Sequence, residues 1–533
     1  MCDENINDMV QCVDPLIKIL LGHYETHHMR QAADIEISLT PRPDGIALQR
    51  WLYDEIRTAI LAGRLMPGSR LPATRDLALR LKISRGTVLA AYAQLGAEGY
   101  IQGVTGKGSF VAPELPDLPP RPVATGSGVA ESISDNATGT KYEAPAVVLS
   151  ARGKKLSMTP FSVAGRTLPA KAFRTNQPDV TAFPFDLWTR IASRRSRRLC
   201  PKFLADGDAC GYKPLREEIA GYLRSSRGIT CSAEQVVLVG SVQQILDISA
   251  RLLLDPGDQV WIEDPGYPGA HLIFAAAGAK IVDIPVDLNG IDVENARNQA
   301  PNARLAYVTA GRQSPLGYVL ALDRRFSLLN WAHQHNAIVI EDDYDSEYRF
   351  EGAPLSAMKS LDKKGRVIYC GTFSKLLFPS LRISYAVLPD QLIAPFTAAL
   401  SLTFRHVPII AQTTLHEFIA EGHLGRHVRR MRLLYAERAQ ALRQAANVHL
   451  SGLLEIPEIT MGLDTPAFFT NDSNDKDIAN LAAQAGIESL PLSAYTRTQP
   501  VDPGLLLGFA AVSHTEIESG VRTLARVIDK TPN

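Results

Sequence analysis

The apolar and polar positions in the first third of the chain repeat with the period of short α-helices. Over 46–62 the apolar residues recur at helical spacing, and Gly63 ends the run. A second helix is predicted up to about residue 81, and a third over 85–98, with Ser84 as its N-cap. Two short helices across a tight turn predict a helix-turn-helix. Four side chains of the third helix are expected to face inward: Val88, Ala91, Tyr92 and Leu95.

A small β-hairpin is predicted directly after these helices. Residues 100–103 and 108–111 flank a Gly-rich tip at 104–107. A hairpin in this position is the wing of a winged helix-turn-helix. The sequence therefore predicts a compact N-terminal domain of a kind that binds DNA.

Several polar side chains of this domain are placed to contact DNA. Arg85 and Thr87, at the start of the third helix after its cap Ser84, would reach base edges or phosphates in the major groove. Arg75 opens the preceding helix, whose free amides favour a phosphate. Lys107 at the wing tip is placed for a backbone contact. The alternative is a small helical domain with solvated arginines.

The larger part of the chain, from residue 173 onward, alternates short apolar runs with helix-length segments. This pattern predicts a mostly parallel sheet with helices on both faces, in which ligands bind beyond the carboxyl ends of the strands. The strand candidates are 236–238, 259–262, 280–285, 305–309, 337–341 and 366–370.

The last of these strands leads directly to Lys375. Burial at a strand end disfavours the charged form of a lysine, so that its amine can attack an aldehyde. Ser374 beside it and Arg382 beyond it can hold a phosphate. An aldehyde together with a phosphate indicates pyridoxal phosphate (PLP). The alternative is a surface lysine that follows a core strand.

Three other strand ends carry polar or aromatic groups. Ser241 and Val242 open a helix whose free amides make an anion site, and a rigid turn presents Tyr267 for stacking on a ring. Five acids occur within 341–347, and buried unpaired carboxylates are costly. A carboxylate that faces a pyridinium nitrogen would explain one of them. A magnesium site is the alternative.

Composition narrows the class of protein. The 533 residues are too many for one core, so two or three domains are expected. The formal net charge is zero, so DNA binding must come from a local basic patch. Six scattered cysteines, an acidic start and the lack of a long apolar run favour a cytoplasmic protein without a membrane span.

Two segments carry little pattern. Residues 113–150, rich in Pro, Gly, Ser, Thr and Ala, are predicted to form a flexible linker. Residues 1–34 are predicted to be a disordered leader, with Met29 as an alternative start, and a short extended segment follows at 35–39. A metal site in the leader is the alternative; it would use His23, His27 and His28.

The chain resembles the MocR/GabR subfamily of GntR regulators, in which a winged helix is fused to a fold-type I aminotransferase-like domain. In the head, the resemblance lies in the run at 63–78, in Ser84-Arg85-Gly86-Thr87-Val88 and in Gly106-Lys107-Gly108-Ser109-Phe110-Val111. In the larger part it lies in Glu263-Asp264-Pro265-Gly266-Tyr267, in the acidic run at 341–347, and in Gly371-Thr372-Phe373-Ser374-Lys375 followed by Arg382.

This resemblance implies domains, partners and residue roles. It implies a DNA-binding domain over 35–112, an aminotransferase-like domain over 151–533, and a head-to-tail homodimer. Lys375 would bond to the aldehyde of PLP, Asp342 would hold the pyridine nitrogen, Tyr344 the ring hydroxyl, and Tyr267 would stack on the ring. The phosphate would be held by Ser241, Val242, Ser374 and Arg382.

The chain departs from the subfamily pattern around the substrate. Arginines that grip an amino-acid carboxylate in some relatives are replaced, by Gly269 and Ala511 in the places expected for them. Arg312, one of several unusual residues in the loop after 305–309, is expected to take over, because a planar guanidinium suits a carboxylate. Asn176 replaces one residue of a usual Pro-Gly pair.

Three functions are compatible with these residues. The first is a PLP-binding transcriptional regulator that senses an amine, an amino acid or PLP itself. The second is an active aminotransferase with a DNA-binding head, against which the missing carboxylate clamp counts. The third is a DNA-binding protein with an inert domain, against which the complete set of Lys375, Asp342, Tyr344 and Arg382 counts.

Overall fold

The computed structural model describes residues 40–43, 45–116, 148–158, 168–198, 201, 205, 207–352 and 355–530. The chain divides into two compact units, Met1–Lys141 and Tyr142–Asn533. The predicted leader, the extended segment at 35–39 and most of the predicted linker lie outside the described residues.

In its described part, the first unit has the order of elements that the sequence predicts. Lys82, with a left-handed φ of 54°, ends the second helix, and the Ser84 side chain accepts a hydrogen bond from the Thr87 amide to start the third. Gly106, with a φ of 77°, turns the wing. The elements are α1 (Leu48–Leu61), α2 (Thr74–Leu81), α3 (Arg85–Ala97), β1 (Ile101–Val104) and β2 (Gly108–Val111).

The core of this unit confirms the predicted inward face of α3. All four of the expected side chains are buried: Val88, Ala91, Tyr92 and Leu95. From α1, Leu52 and Ile56 are fully buried in the same cluster. The apolar pattern thus sets the packing of the three helices, and polar side chains are left to the outer surface.

The second unit is built on an eight-stranded sheet. The predicted strands are present, and the mostly parallel sheet is confirmed. The strands are β3 (Val236–Val239), β4 (Gln259–Asp264), β5 (Lys280–Asp287), β6 (Gly290–Ile291), β7 (Leu305–Val308), β8 (Ile338–Asp343), β9 (Val367–Thr372) and β10 (Ser384–Val387). Their spatial order is β3-β10-β9-β8-β7-β4-β5-β6.

Both faces of this sheet are covered. Within β4, Val260 and Ile262 belong to one buried apolar cluster and Trp261 to another. Because successive side chains of a strand point to opposite faces, the sheet has a core on each side. Strands of this kind read as continuous apolar runs, which is why the sequence reveals them.

Thirteen helices of the second unit lie within the described residues. They are α4 (Ala151–Leu156), α5 (Phe185–Ser196), α6 (Lys213–Arg227), α7 (Val242–Leu253), α8 (Pro268–Ala277), α9 (Val293–Gln299), α10 (Leu322–Gln334), α11 (Phe373–Leu376), α12 (Asp390–Thr403), α13 (Ile409–Ala420), α14 (His423–His449), α15 (Asp475–Gln484) and α16 (His514–Asp529). Short 3₁₀ turns occur at Met358–Leu361, Pro379–Leu381 and Leu492–Ala494.

A smaller antiparallel sheet lies near the C-terminus. It has the order β11-β12-β14-β13. Its strands are β11 (Leu454–Glu455), β12 (Asp464–Phe469), β13 (Leu490–Pro491) and β14 (Gly504–Gly508). In the part of the chain that the structure describes, no helix is long and apolar enough to cross a membrane.

Candidate functional site

Strand register brings three polar segments to one edge of the main sheet. Ser384, the first residue of β10, pairs with Val239 at the end of β3 and with Thr372 at the end of β9. The residues that follow β3 and β9, and those that precede β10, therefore lie at the same edge. The sequence-predicted phosphate ligands Ser241, Val242, Ser374 and Arg382 belong to these segments.

The backbone at this edge offers donors. Ser241 caps α7, its side chain accepting from the Gln244 amide at 3.3 Å, so that α7 begins at Val242. Arg382 is exposed and has a left-handed φ of 51°. The amides in the first turn of α7 and the Arg382 guanidinium are groups that suit a bound anion.

Lys375 lies in the short helix α11, directly beyond β9. Its Nζ donates a hydrogen bond to Oδ1 of Asn176 and lies 4.8 Å from the centre of the Tyr344 ring. The side chain is half-buried. Lys375 is therefore held between a loop near the start of the second unit and the loop after β8.

Enclosure changes the basicity of this amine. Burial lowers the pKa of Lys375, while carboxylates of Asp464, Asp345 and Asp342 act in the opposite direction. A lower pKa increases the fraction of neutral amine, which is the nucleophilic form.

Asp342, near the end of β8, is a buried carboxyl with one free oxygen. Its Oδ2 accepts a hydrogen bond of 2.7 Å from the Tyr307 hydroxyl on the neighbouring strand β7. Its Oδ1 is buried and has no hydrogen-bond partner among the described residues. Burial raises the pKa of Asp342 to about 6. Such an oxygen needs a donor, because an unsatisfied buried acceptor costs stability.

Tyr267 lies against the same strand end. Its hydroxyl accepts a hydrogen bond of 2.5 Å from Nε2 of Gln243 in the first turn of α7, and its ring centre is 6.4 Å from that of Tyr307. Gly269 makes this position possible, since a Cβ there would lie 2.6 Å from Cζ of Tyr267. The sequence-predicted aromatic residue is thus near the partner of Asp342.

Arg312 does not have the role that the sequence suggested. The buried guanidinium donates from Nη1 to the Tyr344 hydroxyl at 3.0 Å and to Asp345 at 3.2 Å. From Nη2 it donates to the backbone oxygen of Asp464 at 2.5 Å and to its carboxylate at 3.1 Å. The expectation that it grips an effector carboxylate is wrong, because its donors are already taken within the protein.

The five acids at 341–347 all have partners within the protein, and two of them share Arg227. Glu341 accepts from the Met358 and Lys359 amides, and Asp343 accepts from Arg227 and Tyr369. The other three are Asp342, paired with Tyr307, Asp345, paired with Arg312, and Glu347, paired with Arg227 and Tyr222. Among the residues described, no cluster of three or more His, Cys, Asp or Glu side chains is arranged to hold a metal ion.

Three residues of the site were missed in the sequence. Tyr307 lies inside an apolar strand, where nothing distinguishes it. Asp464 lies about 90 residues after Lys375 along the chain, and its carboxylate accepts from the backbone amide of Asn176. Asn176, whose side chain accepts from Lys375, lies nearly 200 residues before that lysine. The one signal was the departure at Asn176 from the usual Pro-Gly pair.

The five residues predicted to contact DNA lie on the first unit. Arg75, Arg85 and Lys107 are exposed, and their side chains form no ion pair with another residue that is described. Ser84 and Thr87 are bonded to each other through their side chains at 2.8 Å. The cations therefore remain available to a ligand, while the two hydroxyls stabilise the start of α3.

Comparison with known families follows the division into two units. Residues 48–111 match the gntR family of bacterial regulatory proteins, and residues 175–474 match the aminotransferase class I and II family. The chain is 39% identical over 484 residues to the protein described as probable rhizopine catabolism regulatory protein MocR of Rhizobium meliloti, covering 91% of this chain and 94% of that one. The chain belongs to the MocR-type subfamily of GntR regulators.

Other similarities support both halves of this MocR-type regulator. It is 30% identical over 487 residues to the pyridoxine biosynthesis regulator PdxR of Corynebacterium glutamicum, covering 91% of this chain and 96% of that one. A Pyrococcus horikoshii kynurenine aminotransferase structure aligns with a TM-score of 0.63 and 27% identity, over 68% of this chain and 92% of the enzyme.

The predicted fold and the regulatory interpretation are confirmed at this level. The chain is a transcriptional regulator with a winged helix-turn-helix and a fold-type I aminotransferase-like domain. The aminotransferase class I and II fold family is PLP-dependent.

Proposed function

We propose that this regulator binds PLP at Lys375 and that its large domain uses the cofactor to sense an amine, an amino acid or PLP itself. The observation that carries the proposal is the buried Oδ1 of Asp342, which lacks a partner among the described residues. A pyridine nitrogen that bears a proton would satisfy it. PLP, the cofactor of the fold family, has such a nitrogen, and a carboxylate partner for it is typical of PLP sites.

The residues around Asp342 fit the rest of the cofactor. Tyr267 would lie against the ring, Tyr344 would face its hydroxyl, and Lys375 would bond to the aldehyde carbon. The phosphate would be held by Ser241, Val242, Ser374 and Arg382. When bound, PLP supplies an aldehyde for which a lysine amine and an effector amine can compete.

The charges of this chain prepare the site for such a ligand. With a pKa of about 6, Asp342 is mostly anionic at pH 7 and can accept a hydrogen bond from a protonated ring nitrogen. Burial lowers the pKa of Lys375, which favours the neutral, reactive amine. Asn176 holds the Lys375 amine in place and must release it when the lysine bonds elsewhere.

The DNA-binding surface would use α3 and the wing. Arg85 and Thr87 would enter the major groove, with Ser84 capping their helix, Arg75 on a phosphate and Lys107 on the backbone near the wing. These cations are exposed and free of ion pairs with other described residues. Exposed cations of this kind can neutralise DNA phosphates, which supplies much of the affinity of a protein for DNA.

Domain limits and assembly complete the proposal. The DNA-binding domain would span 35–112, the flexible linker 113–150 and the sensing domain 151–533. Two copies would assemble head to tail, as the fold family commonly dimerises. Because its target is DNA, we place the protein in the cytoplasm.

Transamination as the physiological role has less support. An aminotransferase holds the carboxylate of its amino-acid substrate, and Arg312 is not free to do so. A response to an effector needs only exchange at the aldehyde carbon, followed by a change in DNA affinity.

The visible absorbance of the purified full-length chain tests the proposal. Protein supplied with PLP is expected to show a yellow band that an effector shifts reversibly, and a Lys375→Ala variant is expected to lack the band. DNA fragments selected by the wild-type protein serve for affinity measurements with and without the effector. The variant should bind them, but its affinity should not respond to the effector.

Two results would contradict the proposal. A wild-type protein without a band after addition of PLP would refute the cofactor assignment. A Lys375→Ala variant that retains the full effector response would refute sensing through the lysine. Appearance of a keto acid with loss of the band would favour the enzyme instead.

A further inference from the structure

We infer that the effector of this regulator is a primary amine that carries no carboxylate group. The inference rests on the proposed function and deepens it, since it names the chemical class that competes with Lys375. It follows from how the structure distributes positive and negative charge around that lysine.

The surroundings of the Lys375 amine are acidic. The charged groups that act on it most strongly are the carboxylates of Asp464, Asp345 and Asp342 and the single guanidinium of Arg312. Three negative groups thus face one positive group and the lysine itself. An effector carboxylate that entered this space would add a fourth negative charge.

Arg312 cannot compensate for that added charge. Its two Nη atoms donate to Tyr344, Asp345 and Asp464. Its Nε side packs against Gly462, where a Cβ would lie only 2.4 Å from Nε. The four N–H donors of the two Nη atoms thus each have an acceptor within the protein, and the side chain is only 3% exposed. Release of one donor would leave a buried carboxylate unpaired, which is costly.

The other buried arginines are also engaged. Within the described residues the structure buries six arginines, and each has a partner in the protein. These pairs are Arg174 with Glu488, Arg216 with Asp208, Arg227 with Asp343, Arg312 with Asp345, Arg438 with Asp179, and Arg325 with three backbone carbonyls.

Position 269, in the first turn of α8, has no room for an arginine side chain. Gly269 lies so close to Tyr267 that a Cβ would be 2.6 Å from Cζ of its ring. An arginine at this position would displace the tyrosine. Gly269 therefore leaves space for the Tyr267 ring and supplies no side chain that could bind a carboxylate.

The free acceptors of the site suit donors instead. Oδ1 of Asp345 is buried and has no hydrogen-bond partner among the described residues. An amino or hydroxyl group can donate to such an oxygen, whereas a carboxylate cannot. The site therefore favours amines and amino alcohols over amino acids.

Matched pairs of small molecules that differ by one carboxylate test the inference. We would titrate the PLP-supplied full-length protein with ethanolamine and serine, putrescine and ornithine, and phenethylamine and phenylalanine. The readout is the shift of the visible band, with calorimetric binding as a second measure. At least one amine should act at a concentration about 100-fold lower than its amino acid, because a carboxylate would enter the site as an uncompensated charge.

Several outcomes would overturn the inference. An amino acid that acts at the same or a lower concentration than its amine in these pairs would overturn it, and so would a panel in which no compound shifts the band. In both cases a band that forms with PLP leaves the proposed function intact. Failure to form any band refutes the proposed function and the inference with it.

A variant tests the physical cause. Asp345→Asn removes one buried negative charge and frees one Nη1 donor of Arg312 from its carboxylate partner, so the gap between amine and amino acid should narrow by about tenfold or more. Asp287→Asn, which removes an exposed partner of Arg324, is the matched control and should leave the gap unchanged. An unchanged gap in Asp345→Asn would contradict the assigned cause. The wild-type panel decides the inference by itself if the variant does not fold.

Discussion

The charged side chains around Lys375 and those of the DNA-binding head differ in burial and in pairing. Around Lys375 the charged groups are buried and paired, as in the contacts of Arg312 with Asp345 and Asp464. On α2, α3 and the wing, Arg75, Arg85 and Lys107 are exposed, and their side chains form no ion pair with another residue that the structure describes. Around Lys375 the charged groups are paired within the chain apart from a few carboxylate oxygens such as Oδ1 of Asp342 and of Asp345, whereas the cations of the head are left open for a ligand.

Burial determines how far the effect of a substituted charge extends. In a low-dielectric interior the loss of one charge leaves its partner buried and uncompensated. At the surface, solvent and salt screen each charge, so its removal acts locally. We therefore expect large and coupled effects around Lys375, and small, salt-dependent ones on the DNA-binding head.

Removal of the buried guanidinium should have the largest effect. Arg312→Gln leaves the carboxylates of Asp345 and Asp464 without their cation. The free energy of unfolding of the second unit should fall by about 3–5 kcal/mol, as measured by urea denaturation. Arg522→Gln, which removes an exposed ion pair with Glu518, should cost about 1 kcal/mol or less. Equal costs for the two variants would remove the contrast between buried and exposed charges.

Loss of the free carboxylate should weaken cofactor binding. Asp342→Asn removes the negative charge that faces the pyridine nitrogen, and the Kd for PLP should rise by about 100-fold, since one partner of a buried pair is lost. Equilibrium dialysis or quenching of tryptophan fluorescence would measure it. Asp287→Asn is the control for an exposed carboxylate. A Kd unchanged by Asp342→Asn would contradict the role of this residue.

The same carboxylate should make PLP binding depend on pH. Burial raises the pKa of Asp342 to about 6, so the group is anionic above that pH and neutral below it. Because only the anion attracts a protonated ring nitrogen, affinity should fall by about tenfold per pH unit below pH 6. The pH profiles of PLP affinity are measured for wild type and for Asp342→Asn. Titration of the cofactor affects both profiles, so the difference between them reports Asp342. Parallel profiles for the two proteins would be the contrary result.

On the head, effects should be smaller and depend on salt. Arg85→Ala should weaken binding to selected DNA by about 1–3 kcal/mol and relax sequence preference. Lys107→Ala should weaken binding to all sequences and lower the slope of log affinity against log salt by about one. Fluorescence anisotropy at several salt concentrations separates the two. A Lys107→Ala slope equal to that of wild type would show that the wing makes no phosphate contact.

The sequence predicts the frame of the molecule better than its fine contacts. Buried parallel strands such as β7 and β9 contain short apolar runs, and α3 has a cap and four inward residues at helical spacing, so the sequence predicts both kinds of element. The sequence does not predict strand β10, because four residues are too few to show a periodic pattern. The C-terminal sheet was missed for a similar reason, since two of its strands have only two residues.

Within the site, local motifs were visible and distant partners were not. Lys375, Asp342 and Tyr267 follow strands, and their chemistry can be read from their neighbours in the chain. Arg312 was misassigned because its partner Asp464 is about 150 residues away. Whether a buried charge is free or paired depends on such long-range contacts, which no short stretch of sequence contains.

The most direct test of the account is to locate the bond between protein and cofactor. The full-length protein is supplied with PLP and treated with borohydride, which makes a bond between a lysine amine and the cofactor permanent. Its peptides are then weighed by mass spectrometry. The peptide containing Lys375 is expected to carry the cofactor mass, and an excess of effector amine before reduction is expected to remove it. Modification of other lysines, or of none, would contradict it.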